Sequence, residues 1–219
     1  MGNEILHKII VEHFNTIFSK APEIPDYVID NLSHKLRPYQ ECALSQFIFT
    51  QEMDQADMYS NHLLFHMATG SGKTMVLASN ILYLYKEQKK QNFIFFVNSD
   101  AIIKKTKDNL INRNSLKYLF RKEGIVIDGN YIDIQIVDVF PSLPAPYTIY
   151  LKLTTIQKLH SDLTEPKENS LTFEGLKEIE LVLLADEAHH INAWTRRDKN
   201  KLNTKEQEER TWENTVNRL

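Results

Sequence analysis

The sequence predicts an α/β domain in which helices cover both faces of a mostly parallel sheet. Short apolar runs typical of buried strands alternate along the chain with longer segments whose apolar residues recur at helical spacing. With only 6 glycines and 7 prolines among 219 residues, most of the chain is expected to be regular structure. A strand, a glycine loop and a helix are predicted in succession over residues 62–88, which is typical of parallel sheets.

The sheet is predicted to follow a helical N-terminal part. Apolar residues recur at helical spacing over residues 3–20, which predicts an amphipathic helix. Pro22 and Pro25 end this helix and start a connector that we expect to be extended as far as Leu36. A second helix is expected to begin at Pro38, because proline fits the first turn of a helix.

The same two patterns predict the remaining elements. Apolar runs predict strands at residues 62–69, 92–98, 131–137, 147–153 and 181–185. Helical spacing predicts helices at residues 75–88 and 101–118, and polar or proline-rich stretches predict loops at 139–146 and 160–172. Strands that alternate with helices in this way favour a parallel sheet with both faces covered.

Composition excludes several classes of protein. Lys and Arg number 26 and Asp and Glu 29, so the net charge of −3 gives no overall positive field that would indicate a nucleic-acid partner. The single cysteine, Cys42, excludes an internal disulfide and a thiolate zinc site. No apolar run approaches the length of a membrane span. We therefore expect a soluble, cytoplasmic protein.

A glycine loop between a predicted strand and a predicted helix is the first candidate site. In that setting glycines let the backbone approach a ligand, and the helix N-terminus favours phosphate. Lys73 would reach the β and γ phosphates, and the Thr74 hydroxyl would ligate Mg²⁺. The strict phosphate-loop pattern requires glycine where this chain has Met67. The residues predicted to bind ATP here are Thr69, Gly70, Ser71, Gly72, Lys73 and Thr74.

A pair of carboxylates after the last apolar run is the second candidate site. Asp186 and Glu187 directly follow residues 181–185. Asp186 is placed to hold Mg²⁺ and Glu187 to polarise the attacking water. Because ligands of open α/β sheets bind beyond the carboxyl ends of strands, we expect this pair and the glycine loop to share one edge of the sheet.

Three strings resemble motifs of the superfamily 2 helicases and translocases. Residues 186–189 read Asp-Glu-Ala-His, the DEAH form of the second motif, and residues 67–74 look like the first motif. Residues 36–40, Leu-Arg-Pro-Tyr-Gln, resemble the element that places a glutamine on the adenine edge. The resemblance implies a RecA-like P-loop NTPase lobe with ATP and Mg²⁺ as cofactors. It also implies ATP binding by Arg37 and Gln40, and coupling of the nucleotide site to a second lobe by His189.

On this basis the chain is divided into an N-terminal helical extension, residues 1–35, and a first RecA-like lobe, residues 36–219. No second lobe follows in the sequence, so the chain is expected to be a fragment of a longer protein. The second lobe of this superfamily supplies an arginine finger worth about 10³ to 10⁵ in rate. The isolated chain is therefore expected to be weakly active or inactive.

Within the superfamily, the closest resemblance is to the helicase part of type III restriction enzyme (Res) subunits. It is carried by residues 24–28 before the Leu-Arg-Pro-Tyr-Gln string, by residues 186–193, and by Trp-Glu-Asn-Thr at 212–215. It implies the ATP-binding motor lobe of a DNA-dependent ATPase or translocase in a restriction or related defence system. Implied partners are duplex DNA, the second lobe of the same protein and a modification methyltransferase subunit, with an endonuclease domain outside this chain.

The resemblance also implies residues that contact DNA through its phosphate backbone. Ser99 occupies the place of the family's first DNA-contact motif after a strand, and Thr154, Thr155 and Gln157 look like the next. For the threonines, capping at the strand end is the alternative role. Two other functions stay open, namely a DEAH-type RNA helicase lobe and a non-catalytic nucleotide-switch or DNA-docking module.

Overall fold

The computed structural model describes residues 8, 10–12, 21–52, 63–97, 99–164 and 172–186. The helices, in chain order, are α1 (Asp26–Ile29), α2 (Pro38–Glu52), α3 (Lys73–Gln88), α4 (Asp100–Ile111), α5 (Ile156–Thr164) and α6 (Phe173–Lys177). The strands are β1 (Asn92–Phe96), β2 (Ile125–Ile127), β3 (Asn130–Ile136), β4 (Thr148–Thr154) and β5 (Leu181–Ala185).

The strands form one sheet in the order β2-β3-β4-β1-β5. Neighbouring strands are parallel from β3 to β5, and β2 joins the edge as the antiparallel arm of a hairpin. In the register, Phe96 lies opposite both Thr154 and Ala185, so the carboxyl ends of β1, β4 and β5 are level. The predicted α/β class and the mostly parallel sheet are confirmed.

The core lies on both faces of the sheet. All five residues of β1 are buried, which its near-continuous apolar sequence requires of a strand covered on two sides. One face packs against α3, whose residues from Met75 to Leu84 are all buried. The other face packs against α5 and α6 through Leu159 and Leu176. The sheet therefore supports helices on both sides.

The connector between residues 21 and 37 is tied into this core. Val28 of α1 is fully buried in the same cluster as α3. The Asn31 side chain donates to the Val126 carbonyl oxygen and accepts from the Val126 N–H, each at 2.7 Å, so it pairs with β2 as a strand would. The prediction of an extended connector is wrong at residues 26–29, where the Val28 N–H donates to the Pro25 carbonyl oxygen and begins α1. The domain boundary at residue 35 stays a prediction.

The strand predicted at residues 62–69 is not part of the sheet. Residues 63–68 belong to no strand, and their burial alternates residue by residue, with Leu64 exposed. Leu63 and Phe65 pack against the core, and the Phe65 ring lies 6.0 Å from that of Phe47. The prediction failed because the segment covers the core with one side only, whereas a central strand is buried on both.

Three other predictions need correction. The helix predicted to reach residue 118 ends at Ile111, because the Asn112 side chain accepts the Asn114 N–H and replaces helical bonding. The hairpin strand β2 was not predicted, since its three residues are too few for a periodic signal. The loop predicted at residues 160–172 is wrong at residues 160–164, which belong to α5 and pack on the core through Leu163, and residues 165–171 lie outside the described residues.

Other predicted elements are confirmed where the structure describes them. Residues 10–12 of the N-terminal helix are helical, and the rest of that helix lies almost entirely outside the described residues. The second helix, α3, β3, β4 and β5 lie where the sequence predicts them. In the described part of the chain, no helix combines the length and apolar character needed to span a membrane.

Candidate functional site

The glycine loop leads directly into α3. Gly72 is the residue before the helix, and both Gly70 and Gly72 have left-handed backbone, with φ of 76° and 83°. Left-handed φ strains residues that carry a Cβ, which accounts for glycine at both positions. The described residues provide no side-chain cap at Gly72, and no acidic residue occupies the first turn of α3. This helix end therefore keeps the positive dipole that favours an anion.

The Gln40 side chain supports the glycine loop by hydrogen bonds to its backbone. This side chain, 5% exposed, donates to the carbonyl oxygens of Ser71 at 3.0 Å and Gly72 at 3.3 Å. Its own amide oxygen accepts the Arg37 N–H at 2.9 Å. Since three backbone groups depend on this one amide, Gln40 fixes the shape of the loop. The adenine contact implied for Gln40 stays a prediction.

Arg37 and Tyr39 continue this support at the surface. The Arg37 guanidinium donates to the Tyr39 hydroxyl at 3.0 Å, and that hydroxyl donates to the Ser71 carbonyl oxygen at 2.9 Å. Tyr39 was absent from the residues predicted to form the site. Its place in the Leu-Arg-Pro-Tyr-Gln string at 36–40 was the available signal.

The loop has two features that fit phosphate binding. A Cβ at Gly72 would lie 2.5 Å from the Gln40 amide nitrogen, so the loop and its support are in direct contact. A Cβ at Gly70 would meet no described atom within 4 Å, so that side of the loop is open. The Ser71 hydroxyl is buried without a hydrogen-bond partner among the described residues. Buried polar atoms of this kind call for a partner, which a ligand oxygen can supply.

The orientation of α3 places the loop at the carboxyl edge of the sheet. At the other end of the helix, Tyr85, Lys86 and Lys89 line a cavity of about 280 Å³ beside the turns that precede β3 and β4. Those turns lie at the amino ends of the strands. Sixteen helical residues at about 1.5 Å each separate the two ends of α3 by about 24 Å. The loop therefore lies toward the carboxyl ends.

Asp186 lies at this same edge. Its N–H donates to the Phe96 carbonyl oxygen at 3.1 Å, one step beyond the last pair between β5 and β1. The Val97 N–H likewise donates to the Thr154 carbonyl oxygen at 3.1 Å, so the chain leaves β1, β4 and β5 at one level. Glu187 and His189, predicted to be catalytic, lie outside the described residues.

The predicted DNA-contact residues differ in exposure. Ser99, which precedes α4, and Gln157, in the first turn of α5, are exposed. Thr154 is 1% exposed, and its hydroxyl donates to the Thr155 carbonyl oxygen at 3.1 Å. The Thr155 hydroxyl accepts the Lys158 N–H at 3.2 Å and so caps the start of α5. Of the four residues, Ser99 and Gln157 are therefore the accessible ones, and all four DNA contacts stay predictions.

Lys152 holds α5 against the sheet from within β4. This side chain is buried, its ammonium donates to the Asp138 carbonyl oxygen at 2.6 Å, and the Asp162 carboxylate of α5 lies 4.0 Å away. Burial lowers the pKa of Lys152, although the carboxylates of Asp162 and Asp138 act in the opposite direction. Because α5 carries Gln157, this buried contact fixes the helix on which a predicted DNA contact lies.

The described residues contain no group of three or more histidine, cysteine or acidic side chains that could enclose a metal. Mg²⁺ at a nucleotide site needs no such cage, because phosphate oxygens and waters fill most of its octahedral shell. One hydroxyl from Thr74 and one carboxylate from Asp186 fit that requirement. Mg²⁺ ligation by Thr74 and Asp186 stays a prediction.

Fold and site together define a RecA-like P-loop domain. A family model described as "Type III restriction enzyme, res subunit" matches residues 33–214. The chain belongs to this family, as its motifs predicted. The chain is 38% identical over 179 residues to a protein of Haemophilus influenzae named "Probable type III restriction-modification enzyme HindVIP Res subunit". The aligned region covers 79% of this chain. The chain spans 34% of that relative's length. No solved structure matches the chain.

Proposed function

We propose that this chain is the ATP-binding motor lobe of a DNA-dependent ATPase or translocase, the Res subunit of a type III restriction-modification or related defence system. The observation that carries the proposal is the glycine loop at the start of α3, held by Gln40 and Tyr39 and without a side-chain cap among the described residues. Family membership supports the Res assignment.

The residues of the loop would hold the nucleotide through their backbone and through Lys73. A lysine ammonium neutralises the β and γ phosphates, and bound Mg²⁺ supplies further positive charge there. The Thr74 hydroxyl and the Asp186 carboxylate would hold Mg²⁺. Glu187 would accept a proton from the attacking water, and His189 would couple this event to a second lobe.

Duplex DNA is the proposed nucleic-acid partner. The relative from Haemophilus influenzae is named as a restriction-modification enzyme, which supports DNA over RNA. Contacts from Ser99 and Gln157 at the carboxyl edge would reach phosphates and carry no sequence information. A modification subunit would then supply recognition, and an endonuclease domain elsewhere in the complete protein would supply cleavage.

The test is ATP turnover of the complete protein that carries this lobe, with no nucleic acid, with duplex DNA and with duplex RNA. We expect stimulation by DNA, and loss of turnover with retained ATP binding in Glu187→Gln. The chain of 219 residues alone is expected to bind ATP and turn it over slowly. Stimulation by RNA alone would indicate an RNA helicase lobe, and stimulation by neither would indicate a nucleotide switch or docking module.

A further inference from the structure

The basic residues of this acidic chain are unevenly distributed. Residues 100–123 contain 7 of the 26 basic residues and 3 of the 29 acidic ones, for a local charge of +4. The net charge of the whole chain is −3, so the remainder carries −7. A segment of such opposite sign gives a local positive field that the overall composition hides.

The structure exposes most of these charges on α4 and on the turn that follows it. α4 buries Thr106 and Leu110 against the core and exposes its lysines. The turn at residues 112–117 extends this exposed surface beyond the helix. The exposed cations of the two elements, which we call the α4 basic face, are Lys104, Lys105, Lys107, Arg113 and Lys117.

The cations of the α4 basic face are exposed, and Arg113 also interacts with the Tyr118 hydroxyl. None of the five forms an ion pair with a described carboxylate. Asp100 and Asp108 are exposed on the same helix, so the net charge of the exposed surface from 100 to 117 is +3. A surface that keeps unpaired cations close together pays a repulsive cost that a polyanion would relieve.

The turn after α4 is a rigid part of this surface. The Ser115 N–H donates to the Asn112 carbonyl oxygen at 2.9 Å, and the Lys117 N–H donates to the Ser115 hydroxyl at 3.2 Å. The buried residues Tyr118, Leu119 and Phe120 anchor the turn in the core. It holds Leu116, 92% exposed, between two cations. Proteins that bind the minor groove of DNA combine Arg or Lys with exposed apolar side chains such as Leu.

We propose that the α4 basic face is a contact surface for the phosphate backbone of duplex DNA, with Leu116 as an apolar contact in the turn after α4. The proposal rests on the proposed function. α4 begins directly after Ser99, so the amino end of the helix adjoins the contacts proposed at the carboxyl edge. Its 12 helical residues span about 18 Å, about half a turn of duplex DNA.

The test compares two triple variants of the chain by fluorescence anisotropy with a labelled DNA duplex at several salt concentrations. One variant is Lys104→Gln with Lys105→Gln and Lys107→Gln. The control removes the same charge elsewhere, through Lys35→Gln, Lys89→Gln and Lys177→Gln, three exposed lysines outside the proposed contacts. Each lysine that contacts a phosphate contributes about 0.9 to the slope of log affinity against log salt.

We expect the first variant to bind more weakly and to lose about 2 to 3 from that slope, while the control keeps it. Leu116→Ser should weaken binding at every salt concentration and leave the slope unchanged, because it removes no charge. ATP binding by calorimetry should be unchanged in all three variants.

Equal slopes for the wild type and the first variant, with DNA bound, would overturn the α4 basic face and leave the proposed function standing. Loss of slope on duplex RNA but not on duplex DNA would overturn the assignment to DNA. A wild type that binds ATP but no DNA would overturn the basic face alone, and one that binds neither would overturn the proposed function with it.

Discussion

At its first residue α3 follows a glycine loop, and at its last residue it meets a turn that begins with Lys89. The loop end has no side-chain cap in the described structure and keeps a buried Ser71 hydroxyl without a partner there. At the other end the Lys90 N–H donates to the Leu84 carbonyl oxygen at 3.1 Å, and the Lys89 ammonium donates to the Lys86 carbonyl oxygen at 2.7 Å. One end is satisfied within the chain, and the other is shaped for a ligand.

Left-handed backbone occurs at both ends of α3, on glycines at one end and on residues with a Cβ at the other. At the loop it falls on Gly70 and Gly72, which tolerate it. At the far end it falls on Lys89 and, across the cavity, on Asp128 and Tyr147. There the Lys86 ammonium pairs with the Asp128 carboxylate, so the cavity groups satisfy one another. Strained backbone by itself therefore does not identify the nucleotide site. The site is identified by a polar group without a partner among the described residues, the Ser71 hydroxyl.

The largest expected effect is that of Lys73→Ala at the loop end. Removal of one charged partner of the phosphates should lower ATP affinity about 100-fold, equivalent to about 2.7 kcal/mol. Lys89→Ala at the other end should leave ATP affinity unchanged, although it removes the same charge. Isothermal titration calorimetry of both variants measures this difference. Equal affinity of the wild type and Lys73→Ala would refute the phosphate role of Lys73.

Gly72→Ala should have the next largest effect, a loss of about 2 kcal/mol in the free energy of unfolding. Its Cβ would add left-handed strain and would displace the Gln40 amide, which lies 2.5 Å from the Cβ position. Gly129→Ala is the matched control, because φ there is 77° and a Cβ meets nothing within 4 Å. It should lose only about 1 kcal/mol in urea denaturation. Equal losses would mean that Gln40 does not support the loop.

The packing around the Lys89 end of α3 should become less stable at alkaline pH. Burial raises the pKa of Tyr83 to about 12, and burial followed by a hydrogen bond to Glu87 raises the pKa of Tyr27. Unfolded tyrosine ionises near pH 10, so this stabilisation is complete below about pH 10 and is lost as pH rises toward 12. The loss should be about 1.4 kcal/mol per pH unit for each such group.

Urea denaturation between pH 8 and pH 12 measures this effect, with Tyr27→Phe as the comparison. The Phe variant should lose stability less steeply above pH 10, because it has one phenol fewer to ionise in the unfolded state. Identical pH profiles for the two proteins would show that Tyr27 is not held neutral by α3.

The smallest expected effect is a gain. Lys89→Gly relieves left-handed strain at the end of α3, and part of that gain is offset by greater entropy of the unfolded chain. We expect the free energy of unfolding to rise by about 0.5 kcal/mol. The sign is opposite to that of Gly72→Ala, and a loss of stability would indicate that the Lys89 side chain holds this end of the helix.

The sequence predicted most of the fold, because its strong signals are local. Uninterrupted apolar runs located β1 and β5, and the glycine loop located the start of α3. Residues 63–68 were mistaken for a strand because an apolar run that covers a core resembles one that crosses it. β2 was missed because its three residues are too few to show a periodic pattern, although the Asp128-Gly129 turn that joins it to β3 is a local hairpin signal.

For the site, the sequence located the residue types but not their hydrogen bonds. Gly72 was found from the glycine loop before a predicted helix, and Gln40 and Arg37 were found through motif resemblance. The Gln40 side chain donates to two carbonyl groups of the loop, although it is 31 residues from Ser71 in the sequence. No rule of sequence spacing predicts such a contact. The overall composition did not reveal the α4 basic face, because the negative charge of the rest of the chain exceeds the positive charge of this face.

Amide hydrogen exchange with and without Mg²⁺ and ATP tests most directly whether the open end of α3 takes the nucleotide. We predict slower exchange on nucleotide addition at residues 70–75, and unchanged exchange at residues 88–91, where the helix end is already satisfied. Lys73→Ala should abolish the protection at the loop. Protection confined to residues 88–91, or none at the loop in the presence of bound nucleotide, would contradict the account.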